Sequence, residues 1–143
     1  MPAVVKVDFP EIEGLGRLLL RQVMADIVKV VETKARELAP RGATGRLQKS
    51  IKGRVERGGE RGVVAAKTRY AHLVHEGTGP HVIKARKSRY LSIRSGGARI
   101  ARRSVSHPGA KGQPYLKDAV EQSRAETLRM LEAKGEQYLG EAL

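Results

Sequence analysis

The chain has 143 residues, a length typical of one domain, and we predict a single domain over residues 1–143. It contains no Cys, which excludes disulfides, cysteine-ligated zinc and thiolate catalysis. With no Trp and one Phe, its core must consist of Leu, Val, Ile and Ala. No apolar run approaches the ~20 residues that cross a bilayer, and residues 1–10 lack the pattern of a signal peptide. We therefore expect a protein that is not exported and has no membrane partner.

The net charge of +13 is concentrated in the middle of the chain. Residues 41–111 carry 18 basic and three acidic side chains, whereas residues 1–40 are neutral overall and residues 112–143 have a net charge of −2. A field of this kind attracts a polyanion or a strongly acidic protein surface. The alternative is a solvated surface that only keeps the protein soluble.

A long amphipathic helix is predicted over Leu15–Ala39. Its apolar residues recur at spacings of three and four, which places them on one face. Pro40 ends the helix, because the residue before a proline is pushed out of helical geometry. The apolar face consists of Leu15, Leu19, Val23, Ile27, Val30, Val31, Ala35 and Leu38.

A first hairpin is predicted after a loop at residues 41–50. Apolar or small residues alternate with charged ones over Ile51–Glu56, which is the period of a half-buried strand. Gly58-Gly59 then provide a turn, and Gly62–Lys67 is predicted to be the returning strand. Tyr70–Glu76 is predicted to be a short turn or helix.

A second hairpin is predicted over Lys84–Arg103, a segment with eight basic residues and no acidic one. Gly96-Gly97 can supply positive φ at both central positions of its turn, which fixes the register. Arg94 then lies opposite Arg99, and such a like-charge pair destabilises an isolated hairpin. The other predicted pairs are Ser92 with Ala101 and Tyr90 with Arg103 on that face, and Ser95 with Ala98, Ile93 with Ile100 and Leu91 with Arg102 on the opposite face.

The last predicted helix begins at Pro114, a residue favoured at a helix start, and runs to about Leu139. The predicted fold class is therefore α+β: a small antiparallel sheet of two hairpins packed against a long N-terminal helix and a C-terminal helix. The basic hairpin forms an insertion at about residues 81–106. The apolar face of the last helix consists of Leu116, Ala119, Val120, Thr127, Leu128, Leu131, Tyr138 and Leu139.

The sequence offers no constellation for catalysis or metal binding. His72 and His75 lie about one helical turn apart beside Glu76, but their order differs from a His-Glu-x-x-His zinc site. The three acidic residues of the basic region are isolated, so they do not form the carboxylate cluster of a metal-dependent nuclease. We predict no catalytic residue, no cofactor and no metal site.

A nucleic-acid-binding protein is the main alternative class. The charge fits, but the four Tyr residues are too scattered for an aromatic stacking platform. Neither long helix carries a basic face suited to the major groove. This alternative is therefore a monomer or dimer that binds nucleic acid through its charge and independently of its sequence.

Three short blocks carry a resemblance to a known family. They are residues 39–51 (APRGATGRLQKSI), residues 70–78 (YAHLVHEGT) and residues 107–116 (HPGAKGQPYL). In this order and spacing they resemble the phage neck and tail-completion family named after the gene-10 product of a Hong Kong lambdoid phage. The similarity extends over about residues 15–130, although His75 stands before Glu76 where the family often has Val.

The resemblance implies a structural virion protein at the head–tail junction, present in the host cytoplasm during assembly, without catalytic activity or cofactor. It implies a ring, most simply a hexamer because long tails are sixfold, between connector or head-closure proteins and tail-terminator or tail-tube proteins. Structural roles are implied for Thr44, Gly45, Leu47, Tyr70, Glu76, Gly77, Thr78, Pro114 and Leu116. In a ring, packaged double-stranded DNA or an acidic neighbouring ring would be contacted by Lys84, Arg86, Lys87, Arg89, Arg94, Arg99, Arg102 and Arg103.

Overall fold

The computed structural model describes residues 2–8 and 16–142. A three-stranded antiparallel sheet lies at its centre, with the strands in the order β1-β3-β2. These strands are β1 (Ala3–Asp8), β2 (Ile51–Glu56) and β3 (Arg61–Ala66). The first predicted hairpin is confirmed, because β2 pairs with β3 from Ile51 opposite Ala66 to Glu56 opposite Arg61.

Strand β1 is not among the predicted elements. It pairs with β3, with Ala3 opposite Ala66, and thereby completes the sheet. Its buried or half-buried residues Ala3, Val5 and Val7 alternate with the exposed Val4 and Lys6. The α+β class is confirmed, but β1 takes the place in this sheet that the second hairpin was expected to fill. The physical reason is that β1 supplies apolar side chains to the core face, whereas the second hairpin is dominated by charged ones.

Two long helices pack against the sheet and against each other: α1 (Arg17–Leu38) and α4 (Tyr115–Ala142). Helix α1 agrees with the prediction for Leu15–Ala39, although Leu15 lies outside the described residues. Ala39 has the extended conformation expected before Pro40 (φ −65°, ψ 133°). From the predicted apolar face, the side chains that are buried are Val23, Ile27, Val31 and Ala35.

The core lies between the helices and one face of the sheet. Helix α4 contributes Tyr115, Leu116 and Ala119 at its start, and these three side chains are at most 1% exposed. Beyond Ser123, none of the α4 side chains that the structure describes is fully buried. Helix α4 also extends to Ala142, past its predicted end. No helix in the described residues has the length and apolar character that crossing a membrane requires.

The remaining elements are short. The predicted turn or helix at Tyr70–Glu76 is confirmed as helix α3 (Ala71–Glu76). We call residues 81–107 the arm, and we call the three-stranded sheet with helices α1 to α4 the body. The short elements not yet named are α2 (Arg46–Ser50), β4 (Gly77–Thr78), β5 (His81–Lys84), β6 (Leu91–Ser95), β7 (Ala98–Arg102), β8 (Ser104–His107) and β9 (Ala110–Lys111).

Candidate functional site: a basic arm joined to the body by glycines

The arm is a two-stranded ribbon. At its base, β5 pairs with β8 and His81 lies opposite His107. At its tip, β6 pairs with β7, and Arg94 lies opposite Arg99. Gly96 and Gly97 have φ values of 57° and 85°, as the two-residue turn requires. All five ladder pairs from Leu91–Arg102 to Ser95–Ala98 follow the predicted register, which is confirmed.

A bulge separates the two ladders of the arm. The N–H of Ala85 donates to the carbonyl of Arg103 (3.0 Å), and the next ladder pair is Leu91 with Arg102. Residues 86–90 therefore have no ladder partner on the opposite strand. Tyr90 is displaced from its predicted ladder position opposite Arg103, because the extra residues lie on only one of the two strands.

Tyr90 stays in contact with two cations at this bulge. The guanidinium carbons of Arg89 and Arg103 each lie 6.0 Å from the centre of its ring. This distance is the outer limit of a cation–π contact. The Tyr90 ring is itself 44% exposed, so one aromatic surface lies among the charges of the arm.

The arm displays eight cations and has no acidic residue to neutralise them. All eight are exposed, and Arg94 and Arg99 are held opposite each other on the ladder. Placing like charges opposite each other costs free energy in the isolated ribbon, and an arriving anion relieves that cost. The cations are those expected to contact DNA or a partner ring: Lys84, Arg86, Lys87, Arg89, Arg94, Arg99, Arg102 and Arg103.

The opposite face of the arm tip is apolar. Leu91 and Ile93 are half-buried there, and Ile100, which lies opposite Ile93, is 38% exposed. The tip therefore has one face with Arg94 opposite Arg99 and one mainly apolar face, on which Arg102 lies opposite Leu91 and is the cation.

Main-chain contacts join the arm to the body. Strand β4, which follows helix α3, pairs with β9, with Gly77 opposite Lys111 and Thr78 opposite Ala110. The Thr78 hydroxyl oxygen also accepts from the N–H of Ala110 (3.0 Å). We call this region, residues 77–80 and 108–112, the junction.

Two glycines make the junction possible. Gly77 and Gly109 have φ values of 87° and 93°, a region that side chains other than glycine rarely adopt. A Cβ on Gly77 would lie 2.5 Å from the nitrogen of Gly112, and a Cβ on Gly109 would overlap the carbonyl oxygen of Thr78. The second and third sequence blocks therefore meet at the junction. The sequence patterns do not predict this pairing, although each of the two blocks contains a glycine at the point where they meet.

Residues of the first sequence block fix the end of helix α1 in place. Gly45, with φ 59°, precedes helix α2, whose Leu47 is buried in the core. The side-chain amide of Gln48 donates to the carbonyls of Arg36 (3.0 Å) and Ala39 (3.1 Å). These carbonyls are otherwise unsatisfied groups at a helix end, so Gln48 fixes the chain where α1 stops.

The family comparison matches the part of the chain that contains the first two blocks. Residues 11–77 match the family described as "Bacteriophage HK97-gp10, putative tail-component". This part of the chain is similar to the HK97-gp10-like family. A search of curated proteins and a search of solved structures each find no significant match.

The match confirms the resemblance to a phage tail family and supports a structural virion role. The HK97-gp10-like match ends at Gly77, the first residue of β4. It includes α1, β2, β3 and α3, whereas the arm, β9 and α4 follow it. The family assignment therefore rests on the body, and the arm has to be interpreted from its own charge and geometry.

The other motif residues lie near helix ends. Tyr70 precedes α3 and is 42% exposed, and Glu76 ends α3 with an exposed side chain. The carbonyl of Pro114 accepts from the N–H of Asp118 (2.9 Å) in the first turn of α4. Leu116 is fully buried, whereas Thr44 lies exposed in the loop before Gly45.

Tyr115 anchors α4 in the core next to His75. Their rings meet edge to face with centres 5.4 Å apart. Burial, and to a smaller extent the nearby Tyr70, raises the pKa of Tyr115 to about 12. The Tyr115 hydroxyl has no hydrogen-bond partner among the described residues, so its neutral form is held in place by packing alone.

The histidines are used in packing and in the junction. The rings of His81 and His107, which lie opposite each other at the base of the arm, are 5.1 Å apart. The Nδ1 of His81 lies 2.9 Å from the Gly79 carbonyl, and the Nδ1 of His107 accepts from the N–H of Gly109 (3.0 Å). Within residues 2–8 and 16–142 no group of three or more possible metal ligands comes together.

Proposed function

We propose that this protein is a structural subunit of the phage head–tail junction, a neck or tail-completion protein that joins the connector to the tail. Support at the level of a tail component comes from the HK97-gp10-like match of residues 11–77. In this role the body assembles with other copies as a ring, most simply a hexamer. Its partners are the connector or head-closure protein on one side and the tail-terminator or tail-tube protein on the other.

The observation that carries the finer role is the charge of the arm. Eight exposed cations without a neighbouring acid are displayed on a ribbon outside the body. A ring of such arms concentrates positive charge around one channel, where the phosphates of packaged double-stranded DNA pass. We assign the arm to contact with this DNA, and contact with an acidic rim of a neighbouring ring is the competing outcome.

The test is a triple change of Arg94, Arg99 and Arg103 to Ser. All three side chains are exposed, so we expect the folded structure and melting temperature to be retained. Binding to duplex DNA of random sequence is measured by fluorescence anisotropy over a range of salt concentrations. Each phosphate contact that is lost should lower the slope of log K against log salt by about 0.9. Particles assembled with the variant should lose packaged DNA.

The matched control changes three exposed cations of the body, Arg41, Arg46 and Lys67, to Ser. This control removes the same charge and should leave the salt dependence nearly unchanged. Equal effects of the two triple variants would show that net charge, and not the arm, is responsible. A variant arm that binds DNA normally but whose subunits no longer join tails would assign the arm to the neighbouring ring. Normal numbers of tailed, DNA-filled, infectious particles would contradict both roles.

A sequence-independent nucleic-acid-binding protein is the second candidate. The contacts of Tyr90 with Arg89 and Arg103 favour it, since an exposed aromatic ring among cations can stack on a base. A chain that stays monomeric at all concentrations and binds DNA tightly without other phage proteins would support this class. Mass measured by light scattering, together with binding of single-stranded and duplex DNA, separates the two candidates.

A further inference from the structure

The face of the three-stranded sheet that points away from the core is basic and exposed. In the register of the sheet, Val4 and Lys52 flank Ala65 in one row, Lys6 and Arg54 flank Val63 in the next, and Asp8 and Glu56 flank Arg61 in the third. Val63 and Ala65 are 1% and 7% exposed, so the long side chains beside them cover them. We call Val4, Lys6, Lys52 and Arg54, all four of which are exposed, the outer face.

The charges of the outer face are only partly neutralised. The guanidinium of Arg54 is paired with Glu56 on the same strand (2.6 Å). Lys6 and Lys52 have no ion pair within the described residues. Val4 is 44% exposed beside them, which leaves one apolar side chain in basic surroundings. This combination fits a partner surface that carries acids around an apolar side chain.

Helix α4 carries a surface of that kind on its solvent side. Residues at spacings of three and four lie on one face of a helix. On α4 this spacing aligns Asp118, Glu121, Ala125, Leu128, Glu132 and Glu136, which we call the acidic stripe. Arg129 lies on the same face, so the stripe carries four acids and one cation and stays acidic overall. Leu128 is 49% exposed in the middle of the stripe, so its predicted place on the apolar face of this helix is wrong. The buried side of α4 is a different one and carries Leu116, Ala119 and Ser123.

We infer that the outer face of one copy docks on the acidic stripe of a second copy. Lys6 and Lys52 are placed to meet the acids of the stripe, while Val4 and Leu128 supply the apolar contact. The sizes agree, because the stripe from residue 118 to 136 is about 27 Å long and a strand of six residues is about 20 Å long.

The contact joins two unlike surfaces, and we infer that each copy meets a different neighbour through each of them. A reciprocal pair of two copies would give dimers instead of a ladder of multimers in the cross-linking experiment below. Two outer faces carry the same sign of charge and repel each other, and so do two acidic stripes. Each copy uses two different surfaces, and such a heterologous contact closes into a ring or continues as a filament. The inference therefore rests on the proposed function, which requires copies of this chain to assemble, and it names the two surfaces of the body that do so.

The first experiment uses the absence of cysteine in the chain. Val4→Cys and Leu128→Cys are made in separate chains, mixed under oxidising conditions and separated by size. We expect disulfide-linked pairs that contain one chain of each kind, because the two positions meet across the contact. A chain with both changes should form a ladder of multimers. Leu18→Cys, at a position 80% exposed on α1, replaces Leu128→Cys in the control mixture.

The second experiment reverses the charges in the same cross-linking chains. Lys6→Glu with Lys52→Glu, made in the Val4→Cys chain, should lower mixed cross-linking by about tenfold, as expected for the loss of about 1.4 kcal/mol. Glu121→Lys with Glu132→Lys, made in the Leu128→Cys chain, should do the same. Mixing the two reversed chains should restore the yield. Arg41→Glu with Arg46→Glu changes the net charge equally at two exposed positions outside both surfaces and should have no effect.

Three results would overturn the inference. The first is a yield of mixed cross-links between Val4→Cys and Leu128→Cys that is no greater than the yield with Leu18→Cys. The others are a preference for pairs of identical chains and a failure of the two charge-reversed chains to restore the yield when they are mixed. These results leave the proposed function intact if the triple arginine variant still loses packaged DNA. Conversely, if the contact is found but the arm variant gives normal particles, the copies assemble as inferred and the role of the arm is wrong.

Discussion

The body and the arm are built on opposite principles. Among the described residues, the fully buried side chains lie in the body or, for Ala39, directly after α1; they include Met24, Ile27, Val31 and Leu116. The arm has 27 residues and none is fully buried. Burying one large apolar side chain stabilises a fold by about 1.5–3 kcal/mol, so the stability of the molecule comes from the body. The arm depends on ladder hydrogen bonds, its turn and the junction, and a two-stranded ribbon of this kind is only marginally stable alone.

This division explains why the charge lies where it does. Burying eight cations in the core would cost more free energy than the net stability of the fold, because each cation would have to be desolvated or paired. On the arm the same cations stay in water. The arm can therefore be optimised for an anionic partner while the body is optimised for packing.

The largest effect is expected in the body. Ile27→Asp places an unpaired charge at a position that is 1% exposed, so we expect a loss of more than about 4 kcal/mol and no folded soluble protein. Leu18→Asp, on the same helix and 80% exposed, is the control and should melt close to the unchanged protein. Circular dichroism and thermal melting measure both. A native spectrum and melting temperature for Ile27→Asp would mean that the face of α1 is an interface between subunits and not a core.

An intermediate effect is expected at the junction. A side chain on Gly109 would clash with the carbonyl oxygen of Thr78, and this position also requires a positive φ. Gly109→Val should therefore destabilise the β4–β9 pairing by a few kcal/mol. Amide hydrogen exchange should become fast in residues 77–111 and stay slow in α1 and β3. Gly79→Ala, where a Cβ meets nothing within 4 Å, is the matched control. If exchange in the body accelerates equally, the arm and the body are one cooperative unit and the comparison fails.

The hairpin at the tip and the helices of the body could be predicted because their determinants are local. Gly96-Gly97 sets its own register, and the spacing of Val23, Ile27 and Val31 marks a helix without knowledge of its partners. Strand β1 could not be placed with the same ease, because its six residues pair with β3, more than 50 positions away in the chain. Its alternation of Val5 and Val7 with Lys6 was a signal, but a short one.

The candidate site was predictable in composition and only partly in geometry. Its eight cations follow from the sequence, since no acid lies among them. The junction did not follow from the sequence. Thr78 pairs with Ala110, which is distant in the chain, through main-chain atoms, and the types of the side chains do not indicate which segments pair in this way. The bulge at residues 86–90 also depends on where the two ladders of the arm begin, which no local pattern determines.

The smallest effect is expected at Tyr115, the first residue of α4. The pKa of Tyr115 is raised to about 12, so the folded state keeps its proton above pH 10 while the unfolded state loses it. The stability that Tyr115 contributes is therefore complete below pH 10 and is lost as the pH rises towards 12. Tyr115→Phe removes this loss and also removes a buried hydroxyl without a described partner, so at pH 7 the melting temperature should stay equal or rise slightly.

Urea unfolding at pH 8 and at pH 11 measures the difference between Tyr115→Phe and the unchanged protein. Tyr90→Phe, at an exposed ring of the arm, is measured under the same two conditions as the control for the loss of a tyrosine hydroxyl. A large loss of stability for Tyr115→Phe at pH 8 would mean that the hydroxyl makes an important hydrogen bond.

The junction has a consequence for how such a scaffold can change over time. Its ladder contacts at Gly77, Thr78, Ala110 and Lys111 are made by main-chain atoms, which every residue carries. The pairing at the junction therefore does not depend on the sequence of the arm between its end residues, His81 and His107, whose rings contact the backbone of Gly79 and Gly109. Ribbons of other lengths and other charges could be exchanged between these two histidines while the core stays the same. The same body could in this way acquire arms that bind different partners, because only the segment of the arm changes and the fold of the body is kept.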